Sequence, residues 1–329
     1  MRKKKMILLL IIFVLIALVI LWFSIPYSPF KNRFKKDLTK QTQISESFLE
    51  EASNAVYAKE DFESLPPLLR AYIEECGYIG SPRKSVLKME YMKVDFELGQ
   101  NRPKLKIDYT QVDFANILVR LAFIDSKMFG IPFQGYDYFV NGKGGMKGVL
   151  AKSFQLFNQT GEQMDKAALV TYLAEIIFLP EALLQDFVSF NQLDSNRVEA
   201  RIEYKGLKAC GIYHFNDAHE MIYFSTDERS QTASDGSVKN IPWEAQCREY
   251  KLYSDGIKRP TVFRAVWKYP DQDFIYFDGK ISSVNGEKPS LLKNIFRNHN
   301  SICGGYNQNE NNRNLHKSDR LYKKVCRVD

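Results

Sequence analysis

The sequence predicts an α+β fold: an N-terminal transmembrane helix and a stalk helix, then a large curved, mostly antiparallel sheet with a helix packed on its concave face. Three observations carry this expectation. An unbroken apolar run from Met6 to Phe23 follows the basic start MRKKK. Beyond Ser81-Pro82 the chain falls into runs of Val, Ile, Tyr and Phe separated by Gly, Asn, Asp and Pro, which is strand vocabulary. One segment, Lys166–Phe190, breaks that pattern with helical composition.

The first element is the anchor, residues 1–31. About twenty apolar residues cross the hydrocarbon core as a helix, and the run reaches that range once Ser24 and Ile25 are added. It ends in Leu21, Trp22 and Phe23 followed by Ile25-Pro26-Tyr27, not in the small residues a signal peptidase needs. No cysteine stands at the junction to accept a lipid, since the first is Cys76. The run therefore reads as an uncleaved signal-anchor, giving a single-pass protein of the cell membrane. Basic residues on its two sides nearly cancel, and long domains translocate largely regardless of charge, so the large domain is expected outside the cytoplasm.

Residues 32–64 follow as a stalk. From Asn32 to Lys59 there is no Gly or Pro, and Phe34, Leu38, Ile44, Phe48, Leu49, Ala52 and Val56 recur at approximate helical spacing. LPPLLRAYIEECG then predicts a short helix, with Pro67 in its first turn and Gly77 as its stop.

The main domain spans 65–288. Candidate strands are Ser85–Leu98, Leu105–Phe114, Leu121–Met128, Tyr136–Val140, Met146–Phe157, Arg197–Tyr204, Lys208–Phe215, Glu220–Ser225, Cys247–Tyr253, Thr261–Tyr269 and Phe274–Ile281. The links NGKGG, NDAH, SDG and DQD are too short for parallel crossovers, so the sheet should be an antiparallel meander. Within Ser85–Leu98 the apolar parity switches from Leu87, Met89 and Tyr91 to Met92, Val94, Phe96 and Leu98, as a bulge or burial of both faces would require. Lys166–Phe190 reads as a helix capped by Asp165 and interrupted at Pro180, which can begin a second helix. The Asn-rich, basic tail, 289–329, has no sustained apolar period and is expected to be disordered.

The net charge of +7 resides largely at the membrane flanks and in the tail, which points to lipid headgroups more than nucleic acid. The aromatic residues fall in strand interiors, where they pack a core instead of stacking on bases. Five scattered cysteines form no metal-binding pattern and read as buried thiols, with a Cys210–Cys247 bridge as the alternative. His214, Asp217 and His219 lack a third strong ligand, so no metal and no cofactor is expected. Asn141-Gly142-Lys143-Gly144-Gly145 has strand-like sequence on both sides and reads as a hairpin turn, not a phosphate loop.

The stretches YDYFVNGKGGMKGVL, TGEQMDKAALVTYLAEIIFLPEALL and IPWEAQCREYKLYSDGIKRPTVFRAVWKYPDQDFIYFDGKI resemble an uncharacterised bacterial domain family of unknown function. The resemblance runs from about Leu65 to Ile281, and its most specific part is the YLAE to LPEALL segment. It implies domain limits and no activity. In general shape such a domain is similar to the curved-sheet carriers of lipoproteins and lipids.

No G-x-S-x-G elbow or nucleophilic cysteine context is present. Glu175 stands out as a carboxylate on an apolar helix, costly to bury unless paired or protonated. Thr171, one turn earlier, shares its face. A structural pair with Arg248 or Arg264 is the plainer reading of Glu175. A ligand site made of Glu175, Thr171, Tyr172, Trp243 and Arg248 is the functional one, and no residue is assigned as catalytic. The leading expectation is a non-enzymatic protein that binds membrane lipid or another apolar ligand at the cell envelope. The alternatives are an envelope hydrolase using Glu175 and a scaffold with a packed core.

Overall fold

The computed structural model describes residues 2–47, 55–100, 102–232 and 237–289. Helix α1 (Arg2–Ser24) is exposed along its length and is, among the described residues, the one helix apolar and long enough to cross a membrane. Helix α2 (Pro29–Glu46) starts with Pro in its first turn, where a missing N–H costs nothing. It is not a free stalk. Phe34 packs against Phe123 at 6.0 Å between ring centroids, the Tyr136 hydroxyl donates to Asp37 Oδ2 (2.7 Å), and Ser45 donates to Asn116 Oδ1 (2.6 Å). Residues 48–54 of the expected stalk lie outside the described residues, as does the tail from residue 290 onward, and at 55–64 the expected helix is replaced by a Val56–Pro82 bridge and a 3-10 turn at Glu60–Phe62.

After α3 (Pro67–Glu75) come six consecutive strands: β1 (Val86–Glu97), β2 (Lys104–Phe114), β3 (Val119–Met128), β4 (Ile131–Val140), β5 (Lys143–Leu150) and β6 (Phe154–Thr160). Helix α4 (Glu162–Glu175) continues through a 3-10 turn at Ile176–Phe178 into the one-turn α5 (Pro180–Leu183), and Pro180 does open that helix. The second run is β7 (Val188–Gln192), β8 (Arg197–Tyr204), β9 (Leu207–Phe215), β10 (Met221–Thr226), β11 (Ser230–Thr232), β12 (Val238–Asn240), β13 (Trp243–Arg248), β14 (Lys251–Leu252), β15 (Lys258–Arg259), β16 (Val262–Lys268) and β17 (Asp273–Val284). Among the described residues thirteen strands form one sheet in the order β6-β5-β4-β3-β2-β1-β17-β16-β13-β10-β9-β8-β7, antiparallel throughout, with β11–β12 and β14–β15 as separate ribbons.

The sheet must curl. Helix α4 packs against both β5 and β9, which stand nine strands apart and would lie about 40 Å apart in a flat sheet at ~4.8 Å per strand. The two wings also meet: Lys205, in the β8–β9 turn, donates to Asn141 in the β4–β5 turn, and the Phe139 and Tyr204 rings lie 6.4 Å apart. So α4 fills the concave side and α2 covers the other face of β3 and β4. Burial on both faces explains why Val119–Ile124 is buried without alternation.

The parity switch in β1 is a bulge. Pairing with β2 shifts register between Tyr91 and Val94, where Lys93 takes φ 54° and both Met92 and Lys93 point to solvent. Asn141 and Gly142, with φ 56° and 78°, make the two-residue hairpin turn expected of that pair.

Several boundaries differ from expectation: β4 starts at Ile131 instead of Tyr136, and Cys247–Tyr253 is divided between the end of β13 and β14, which leaves the main sheet. Met146–Phe157 is two strands, because Ala151 and Lys152 turn the chain at φ 53° and 70° without a Gly or Pro to announce it. Lys166–Phe190 ends in strand β7, whose Val188-Ser189-Phe190 alternation is submerged in an apolar run. Asp165 is not the N-cap of α4; that position is Gly161, and the Asp165 carboxylate instead accepts from Gly144 N (2.7 Å) and Lys143 Nζ (2.9 Å), fastening the helix to the hairpin.

Gly144 is where helix and sheet approach most closely: a Cβ there would lie 2.4 Å from the Met164 carbonyl oxygen and 2.8 Å from Ala168 Cβ. Because backbone cannot yield as a flexible side chain does, Gly144→Ala should lower stability by about 1–3 kcal/mol in thermal unfolding. A stability equal to wild type would show that α4 is free to lift.

Candidate functional site

The concave face of β2, β3 and β4 is apolar except opposite the end of α4. Strand parity puts Gln111 and Asp113 of β2, Arg120 of β3 and Asp137 of β4 on that face, and Asp113 and Arg120 are direct cross-strand partners. Arg120 is 3 % exposed. Its Nε donates to Glu175 Oε2 (2.7 Å), one terminal nitrogen donates to Asp137 Oδ2 (2.6 Å), and the other donates to the Tyr109 hydroxyl (2.7 Å) and more weakly to Glu175 Oε1 (3.4 Å). The guanidinium fork thus binds both oxygens of Glu175, the last residue of α4.

Three carboxylates surround one arginine. Burial works against the Arg120 charge, but Glu175, Tyr109 and Asp137 hold it protonated. Burial raises the Glu175 carboxyl above its ordinary range, with Arg120 opposing. Asp113 is raised further, by burial and by the nearby Glu175. It accepts a hydrogen bond from Gln111 Nε2 (2.6 Å), Arg120 does not donate to it, and its Oδ1 receives none among the described residues. The proton therefore belongs on Asp113.

A second cluster adjoins the helix. Thr171 Oγ1 donates to the Ala167 carbonyl (2.8 Å) and accepts from Arg229 Nε (3.2 Å). The Arg229 guanidinium lies 4.8 Å from the ring of Trp243 and 5.0 Å from that of Trp267, which are cross-strand partners. Trp243 Nε1 donates to the Tyr276 hydroxyl (3.1 Å). Tyr172 is fully buried and donates to the Phe114 carbonyl (2.6 Å), which closes the helix onto the end of β2.

Of the five sequence-selected residues, Glu175, Thr171 and Tyr172 lie on α4, and Trp243 is joined to Thr171 through Arg229. Arg248 stands apart. It ends β13, five residues and about 17 Å of strand from Trp243, is exposed, and donates to Gln246 (3.2 Å). Arg264 pairs with Asp278 (2.9 Å). The partner of Glu175 is Arg120, and Arg229 is the cation beside Thr171; neither was singled out from the sequence. A signal was present, since Gln111, Asp113 and Arg120 are polar residues at core-facing parity on two adjoining strands.

The other candidates are structural. His214 stacks on Tyr223 at 4.0 Å and bonds Ser225 Oγ (2.9 Å), and burial with Arg197 nearby lowers it to about 4. Cys210 and Cys247 are both free thiols, so the alternative bridge is not formed; burial and Glu228 push Cys210 up to about 11. Along the seam between the start of α4 and β7–β9 runs an open groove of about 550 Å³, with Phe187, Val188 and Ile202 among its apolar walls and Lys166, Arg201 and Glu228 among its charged ones.

Residues 55–279 match the family of unknown function DUF6544. The chain belongs to that family. Its match takes in α3, all of β1 to β16 and most of β17, so the curled sheet with its central helix is the family domain. No curated protein and no solved structure matches the chain.

Replacing Glu175 by alanine leaves the buried Arg120 short of its main counter-ion. Glu175→Ala should cost about 3–5 kcal/mol in denaturant unfolding, as breaking a buried ion pair does; a cost below about 1 kcal/mol, the level of a surface pair, would place Glu175 in solvent.

Asp113 supplies a pH test. Folded, it keeps its proton where the unfolded chain has lost it, so unfolding releases a proton, and its contribution to stability is full below the ordinary carboxylate range and is lost as pH rises toward the raised folded value. Asp113→Asn cannot titrate. Its melting temperature should gain on that of wild type as the buffer is taken from pH 4 to pH 8; parallel profiles would show that Asp113 is ionised when folded.

Proposed function

We propose that this is a membrane-tethered binding protein for an apolar or lipid-like ligand, with α1 as a single-pass span of the cell membrane and the family domain on its extracytoplasmic side. The observation that carries the reading is the trough itself. A thirteen-stranded sheet curls around a concave face lined with residues such as Phe133, Phe139, Phe224 and Phe263, and what occupies it is α4, with α3 beside it through Tyr72 on Phe215. Helix α4 is fastened by a charged cluster that costs desolvation energy to bury, not by apolar contact alone. The groove beside it has a volume in the usual range for ligand sites and pairs apolar walls with charged rims, the amphipathic character a lipid needs. In this reading α4 is a plug in its closed position, and the ligand enters along the seam.

A scaffold is the second reading, favoured by the packing of the plug: Leu169, Val170, Leu173, Ile176 and Ile177 are all fully buried in one continuous core. Envelope hydrolysis has less support, because both oxygens of Glu175 are already engaged by Arg120.

Full-length protein in vesicles containing a photoactivatable phospholipid separates these readings. Illumination followed by peptide mapping should label the groove residues Phe187, Val188 and Ile202 or the inner face of α4. Labelling confined to α1 and residues at its exit would overturn carriage and favour the scaffold.

A further inference from the structure

The described residues include two large apolar side chains far more exposed than a folded surface normally keeps them. Phe129, at the tip of the β3–β4 hairpin, is 83 % exposed, and Phe154, just after the β5–β6 turn, is 65 % exposed. Phe129 is also held at φ 52°, a left-handed backbone that a β-branched or aromatic residue adopts only when the turn demands it. The two tips are neighbours: Ala151 N donates to the Pro132 carbonyl (2.8 Å), and Phe133 pairs with Leu150.

The same rim grips the end of α1. Trp22 Nε1 donates to the Ala151 carbonyl (3.1 Å). Lys152 Nζ donates to the carbonyls of Trp22 (3.2 Å), Phe23 (3.0 Å) and Ile25 (2.6 Å), capping carbonyls that a helix leaves unpaired at its C-terminus. Just beyond, Gln134 Nε2 donates to Ser28 Oγ (2.6 Å). The β5–β6 turn is thereby level with the residue at which α1 ends, and in a spanning helix that level is the membrane–water boundary, where Trp concentrates.

We infer that the rim formed by the β3–β4 and β5–β6 tips seats in the bilayer itself, with Phe129 and Phe154 at the boundary between headgroups and acyl chains. The proposal rests on reading α1 as a membrane span. Exposed Lys127 beside Phe129 suits anionic headgroups, so the occupant is an anionic lipid bilayer and not a second protein. An apolar pair at the exact depth of the helix exit, flanked by lysine, is what an interfacial loop needs and what a surface facing water avoids. Seated this way the domain has a fixed attitude on the membrane instead of swinging from it.

Depth measurement in the full-length protein tests this. Phe129→Trp, Phe154→Trp and, as a comparison, Leu252→Trp in β14, which is 55 % exposed, are each reconstituted into vesicles of phosphatidylethanolamine and phosphatidylglycerol with or without brominated acyl chains. After subtraction of the parent emission, the added tryptophan at 129 or 154 should lose roughly half or more of its emission to bromine, as an interfacial aromatic does, and the one at 252 very little. Emission at 129 and 154 as bright as at 252, with Trp22 still quenched, would overturn the seating while leaving the span intact. Loss of Trp22 quenching would overturn the span and the seating together.

Discussion

Arg120 is the group on which the rest of the interior depends. A guanidinium removed from water at a core-facing position of β3 has several kcal/mol of desolvation to offset, and it does so with Glu175 from α4, Asp137 from β4 and the Tyr109 hydroxyl from β2. These partners come from two strands and one helix, so the charge is satisfied only when α4 lies across the sheet at one position. The helix stops there: Glu175 is its last residue, and the chain tightens into a 3-10 turn immediately afterwards. Apolar packing alone would hold α4 in the trough. The arginine fixes where along the trough it sits.

At the other end of α4 the fastening is different in kind. Asp165 binds the backbone and lysine of the β4–β5 hairpin, and Gly144 lets the helix backbone approach where no side chain could fit. The Glu175 end is held by a buried ion pair, and the Asp165 end by a carboxylate whose lysine partner is largely solvent-exposed. If α4 ever leaves the trough, the second end offers the smaller barrier, and the groove runs beside it.

On the outer face α2 packs against β3 and β4, and the C-terminal end of α1 bonds the β5–β6 turn. Phe34, Tyr136 and Phe123 form a small second core outside the sheet. A helix lying against strands buried on both faces has no freedom to act as a flexible stalk, so motion of α2 is motion of β3 and β4. That coupling, more than any reactive side chain, is the property that distinguishes this domain from a soluble protein attached by a linker.

The amino-acid sequence by itself determined the elements whose signal is local: the apolar run of α1, the parity switch of β1, the Asn141-Gly142 turn and the antiparallel meander that short links enforce. Each depends on residues next to one another in the chain. It also marked Glu175 as a carboxylate in need of a partner, because a charge on an apolar helix is visible without knowing what faces it. Which partner was beyond it: Arg120 lies fifty-five residues away, and the sheet's curl brings it under α4 while leaving Arg248 at the far end of its strand. The split of Met146–Phe157 escaped for a related reason, since Ala151 and Lys152 turn without turn-forming residues while held against the end of α1. Register along a strand is written in its own alternation; the meeting of strands nine places apart is decided only when the sheet closes around its helix.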